Sequence, residues 1–87
     1  MADEPKAVAV GEAVGLLRRV DPRGACRVEA AVAEAAARGE GSAACVSRHD
    51  GCVVVEVGVG FYEHGGRVIP RQKWGGKFPA ALLTATD

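Results

Sequence analysis

The stretch that decides the fold is Cys52 to Lys77, CVVVEVGVGFYEHGGRVIPRQKWGGK, in which apolar residues alternate, a glycine turn follows, and a basic segment carries a tryptophan. Alternation with a period of two puts Val53, Val55, Val57, Val59 and Phe61 on one face of a strand and Val54, Glu56, Gly58, Gly60 and Tyr62 on the other. Working backwards, Asp50-Gly51 is a hairpin signal, because a type I′ turn needs positive φ at both central residues and Asp and Gly tolerate it. A two-residue loop there pairs His49 with Cys52, Arg48 with Val53 and Val46 with Val55. Ala44 and Val46 then share a face with the odd-numbered valines. Working forwards, a second turn over Glu63 to Gly66 sets Tyr62 opposite Arg67 and Phe61 opposite Val68. The third strand runs to about Lys73, and Pro70, which lacks an N–H, confines it to an edge.

Two helices precede the sheet. Val10, Ala13, Val14, Leu17 and Val20 recur at intervals of three and four, an apolar stripe with Glu12, Arg18 and Arg19 on other faces. Asp21-Pro22 ends that helix and starts the next, since Asp caps helix N-termini and Pro suits the first helical position. The second stripe, Ala25, Val28, Val32, Ala35 and Ala36, runs to about Arg38, where Arg38-Gly39 supplies a basic last turn and a terminating glycine. The polar segment Met1 to Lys6, with Pro5, is expected to be a frayed tail, and residues 78–87 a docking tail able to form one or two helical turns. The predicted fold is therefore α+β: two N-terminal helices packed on a three-stranded antiparallel β-meander, with a short C-terminal tail or helix, in a single domain spanning residues 1–87.

At 87 residues, a chain buries only about 60–65% of its unfolded surface, which leaves a small core and makes self-association as a homodimer a natural option. Eleven acidic and eleven basic residues cancel, so no global field draws the chain to nucleic acid. Abundant alanine, valine and glycine, arginine in excess of lysine, and no asparagine indicate a GC-rich bacterial or phage source. Three scattered cysteines, with no leader-like start and no apolar run of the roughly 18–20 residues that would span a bilayer, predict reduced thiols, a cytoplasmic location and no membrane association.

Candidate chemistry is sparse. Cys45, His49 and Cys52 have a spacing reminiscent of zinc sites, yet four residues of extended strand separate the first two by about 13 Å, too far for shared tetrahedral ligation. A nucleophilic cysteine working with His49 or His64 and an orienting carboxylate, Asp50 or Glu56, would need a concave site that a small meander offers little room for. Gly58-x-Gly60 lies within a strand and leads into no helix N-terminus, so it is no phosphate loop. No metal and no cofactor are expected.

The strongest functional pointer is the basic segment, Arg67, Arg71, Lys73 and Lys77 around Trp74, with Tyr62 beside it. Trp, Tyr and Arg are enriched at binding hot spots, so the expectation is a non-catalytic protein-binding module acting through the edge of the third strand. The same residues could hold nucleic acid, cations tracking phosphates and an aromatic stacking on a base. A third option is a small oligomeric enzyme with a site between subunits, which would need His49 or His64 to face a neighbouring chain. The sheet face carrying Val54, Tyr62 and Ile69 would be a dimer interface, a partner surface or the seat of the C-terminal tail.

Overall fold

A computed structural model describes residues 4–84. In order, the elements are β1 (Lys6–Val8), α1 (Val10–Val20), α2 (Pro22–Ala37), β2 (Ser42–His49), β3 (Cys52–His64), β4 (Arg67–Pro79) and α3 (Ala80–Thr84). The α+β class and the antiparallel sheet agree with the sequence expectation, but the sheet has four strands, ordered β1-β2-β3-β4. The strand expected as third is β4. The added strand begins at the last residue of the segment expected to fray and continues for two more: Lys6, Ala7 and Val8 pair with Val46, Cys45 and Ala44. Residues 1–3 of that tail lie outside the described residues. β2 would otherwise be an open edge, and pairing with β1 covers it over residues 44–46.

The helices form as their stripes predict. Ala13, Val14 and Leu17 of α1 are buried, as are Ala25, Val28 and Ala35 of α2. A single residue joins the helices. Asp21 donates its N–H to Leu17 O at 2.7 Å, closing α1, while its side chain accepts from Gly24 N at 2.9 Å, opening α2. α2 ends in a Schellman motif: Gly39, at φ +79°, donates to Ala36 O, and Glu40 donates to Ala35 O. That geometry fixes the direction in which Glu40 leaves the helix.

The first hairpin has the predicted register, with Asp50 at φ 50° and Gly51 at φ 74°. The second turn is tighter than expected. Only Gly65 and Gly66 lie in it, both at positive φ, so His64 faces Arg67, Tyr62 faces Ile69 and Phe61 faces Pro70. The pairing is displaced by two residues from the register expected for a longer turn, because two successive glycines complete a type I′ loop unaided.

A second correction concerns Phe61. Gly60 adopts φ 73°, and the N–H groups of both Gly60 and Phe61 donate to Gly41 O. Two residues of β3 thus oppose one acceptor, which makes a bulge and breaks the alternation. A Cβ at Gly58 would lie 2.8 Å from Phe61 Cζ, so the Phe61 ring covers Gly58 on the face away from the helices and does not continue the valine row.

The core is built from small side chains. Val53, Val55, Val57 and Val59 of β3 meet Ala13, Val14, Leu17, Ala25, Val28 and Ala35, with Trp74 and Phe78 packed at the margin. Val28, Val55, Val57 and Val59 are the largest fully buried side chains. One helical layer on one sheet makes a flat body, 39 × 28 × 15 Å. Phe78 and Pro79, expected in the tail, belong to β4, and α3 packs beside α1 with Ala80 against the core. The described part of the C-terminal segment therefore lies with the helices and leaves the opposite sheet face bare; residues 85–87 lie outside the described residues.

Candidate partner-binding edge

β4 is 13 residues long and, among the described residues, has a neighbouring strand on one side only. In antiparallel pairing, backbone groups of alternate residues point to alternate sides. Ala80 N donates to Gly51 O at 2.9 Å, toward β3, so the even-numbered residues of the C-terminal half of β4 bond inward. The N–H and C=O groups of Lys73, Gly75 and Lys77 consequently point outward. Pro70 and Pro79 sit at the ends of this stretch.

The six residues picked out from the sequence separate into groups. Tyr62 and Arg71 belong to a cluster at the end of α2: the Arg71 guanidinium lies 4.2 Å from the Tyr62 ring centroid, and its Nε donates to Glu40 Oε2 at 2.8 Å. Arg38 Nε donates to Glu40 Oε1 at 3.0 Å, so one carboxylate is held between two guanidinium groups. The hydrogen bond from Arg71 is the main reason the Glu40 carboxyl titrates below its ordinary value of 4.5; the bond from Arg38 and both positive charges add to this, against partial burial. Arg71 is thereby committed to holding β4 against the end of α2.

Lys73 and Lys77 lie on the bare face. Lys73 pairs across the ladder with Gly58 and reaches Glu56 Oε2 at 3.3 Å, while Lys77 faces Val54 and makes no ion pair among the described residues. Trp74, between them, points the other way. Opposite Val57, it packs half-buried against the core, and with Leu17, Val28, Phe78 and Gly75 it lines a crevice of about 70 Å³. Its Nε1 is buried and has no hydrogen-bond partner among the described residues. Arg67 stands apart at the Gly65-Gly66 turn, exposed and opposite His64. The structure thus brings Lys73, Trp74 and Lys77 to one stretch of edge, ties Tyr62 and Arg71 to Glu40, and leaves Arg67 at the strand's far end.

Sequence reasoning missed Glu40 and Arg38. The C-terminal signal Arg38-Gly39 implied where Glu40 emerges, but its partner Arg71 is 31 positions away, and no local pattern announces that contact. Gly75 was likewise passed over, although paired glycines between two lysines mark a place where another chain can approach closely.

The alternative chemistries remain dispersed. His49 Nε2 is 3.0 Å from Asp50 Oδ2 at an exposed hairpin tip, opposite Cys52, while His64 stands near Tyr62 at the other end of β3. All three cysteines are free, and among the described residues no group of three or more His, Cys, Asp or Glu is arranged to hold a metal ion. No described helix is long and apolar enough to cross a membrane. Two larger clefts, of about 350 and 330 Å³, lie beside β1 and between α1 and α2, and neither is lined by a histidine or cysteine. Comparison with family models, curated proteins and solved structures finds no match to this chain.

Proposed function

We propose that this chain is a small non-catalytic protein-binding module, a regulator, inhibitor or assembly factor, that engages its partner through the β4 edge. The observation that carries this is the outward-facing backbone of Lys73, Gly75 and Lys77, on an edge strand whose alternate residues over this stretch bond to β3. An edge of this kind is a template for another chain. Lys73 and Lys77 supply charge on one face of it and Trp74 an apolar margin on the other, while Arg67, Arg71 and Tyr62 extend the surface toward the turn.

The test is capture of partners from a native extract by the tagged protein, with and without nuclease, compared with a Lys73→Ala/Lys77→Ala variant. Both lysines are exposed, so this variant keeps the fold, whereas Arg71→Ala and Trp74→Ala would also disturb the Glu40 cluster and the core margin. A partner that survives nuclease and is depleted about tenfold or more by the double substitution supports the assignment. A stoichiometric partner held equally by both proteins refutes it.

The second reading, nucleic-acid binding, draws on the absence of any acidic residue from β4. Against it, the Trp74 ring is packed against the core and Arg71 is engaged by Glu40, so neither offers a free stacking or phosphate-binding group. Steep loss of affinity with salt and loss of captured material on nuclease treatment would favour it.

A further inference from the structure

We infer that the β4 edge takes an extended acidic peptide as a fifth, antiparallel strand, centred on Gly75, with carboxylates toward Lys73 and Lys77 and apolar side chains toward Trp74 and Phe78. This deepens, and rests on, the protein-binding function proposed above.

Three observations combine. First, the outward stretch offers one donor and one acceptor from each of Lys73, Gly75 and Lys77, with Pro70 and Pro79, which have no N–H to give, marking its ends. An incoming strand can therefore bond along residues 73–77 and little farther, which defines its register and length. Second, β4 has two chemically distinct faces along this stretch. On the bare face, Lys73 and Lys77 flank Gly75, so a strand with its middle residue opposite Gly75 sets the residues two before and two after directly opposite the lysines. Opposite charges facing each other across a ladder stabilise it, and like charges destabilise it. Third, the other face presents Trp74 and Phe78 on either side of Gly76. A Cβ at Gly76 would clash with Phe78 Cζ, so the Phe78 ring lies over this glycine and a larger residue there would displace it. A peptide side chain opposite Gly76 sits beside both rings, next to the crevice that Leu17 and Val28 floor. Backbone bonds then give affinity, and alternate side chains, acidic and apolar, give selectivity.

A second copy of the chain fits this edge poorly. Antiparallel self-pairing about Gly75 would place Lys73 opposite Lys77 of the other molecule, twice; Glu56 of β3, 3.3 Å from Lys73 Nζ, offsets one lysine of each pair, and β4 itself contributes no carboxylate for the other. Edge lysines of this kind resist pairing with a like edge while accepting an acidic one.

The test uses the full chain and capped, fluorescein-labelled heptapeptides read by fluorescence anisotropy: one alternating glutamate and valine, its lysine-valine counterpart, and a glutamate-valine version N-methylated at the backbone positions that would donate to β4. The protein variants are Gly75→Pro, which removes an outward N–H and no donor to β3, and Lys73→Glu/Lys77→Glu. The glutamate-valine peptide should bind wild type about tenfold or more tightly than either other peptide, lose about tenfold with Gly75→Pro, and give way to the lysine-valine peptide in the charge-reversed variant. N-methylation tests the backbone bonds without altering the protein, so the result stands even if Gly75→Pro perturbs folding. Equal binding of the acidic and basic peptides, or binding indifferent to N-methylation, overturns the inference. So does sedimentation showing a dimer that Gly75→Pro dissociates, or preferential binding of a single-stranded oligonucleotide in the same assay. If a captured partner depends on Lys73 and Lys77 but is indifferent to Gly75→Pro, strand addition fails while the protein-binding function survives; if it ignores the lysines as well, both fail.

Discussion

Gly60→Ala is the substitution that most directly tests how this sheet is built. Gly60 holds φ 73° at the bulge where β3 departs from strict alternation, and Gly41 O accepts from both Gly60 and Phe61. An L-residue held there costs about 1–3 kcal/mol of backbone strain. Against this, alanine restricts the unfolded chain and returns about 0.4–1 kcal/mol. The new methyl would also stand 3.1 Å from Glu40 Oε1 and 3.5 Å from Arg38 Nη2, so the carboxylate between the two arginines must shift by a few tenths of an ångström. The net expectation is a loss of about 1–2 kcal/mol, which for a chain of this size lowers Tm by roughly 5–15 °C.

Urea titration followed by the fluorescence of Trp74 is the direct assay, because it is the only tryptophan and it packs against the core. Gly15→Ala is the matched control. It makes the same chemical change in the middle of α1, where a Cβ meets nothing within 4 Å, and should stabilise by about 0.5–1 kcal/mol through helix propensity and the unfolded state. Gly60→Ala at or above wild-type stability, alongside a stabilised Gly15→Ala, would refute the claim that the bulge depends on left-handed backbone at position 60.

Other outcomes follow from the same structure. Val57→Ala removes two methyl groups from a fully buried site and should cost about 2 kcal/mol in urea, a large share of the stability of so small a core. Because the folded-state pKa of Glu40 is depressed, the stability that its ionised form contributes is present above the ordinary glutamate value and is lost as pH falls through the lower, folded value; Glu40→Gln should flatten the stability–pH curve in that acidic window, and an unchanged curve would show that the clamp is energetically idle. Cys26 is exposed whereas Cys45 and Cys52 are half-buried, so a bulky maleimide should label Cys26 first in the native protein and all three cysteines only in urea, as followed by mass spectrometry.

Much of the molecule was legible because it is governed by near neighbours in the chain. The spacing of Val10, Ala13, Val14, Leu17 and Val20, the cap at Asp21 and the stop at Arg38-Gly39 define α1 and α2, since helical bonds link residues four apart and end where a side chain or a left-handed glycine takes over. Asp50-Gly51 likewise determined the register of β2 on β3, because a two-residue turn leaves one way to pair its flanks. The basic, aromatic composition of the edge strand could also be read directly.

What the sequence could not decide was how these pieces use one another. Lys6-Ala7-Val8 carries no strand signal of its own and becomes β1 because β2 presents an unpaired edge. The slip from a longer turn to Gly65-Gly66, and the reversal of Phe61 at Gly60, depend on which of several glycines takes positive φ, a choice made by closure against β2 and β4. The candidate site followed the same division. Its residue types were visible in Arg67 to Lys77, but their roles separated only in three dimensions. Arg71 meets Glu40 across 31 residues of sequence, Trp74 turns toward the helices, and Lys73 and Lys77 remain on the bare face. Local bonds and side-chain periodicity are written in residue order, whereas edges, faces and charge pairs between distant segments come into being only when the chain has closed on itself.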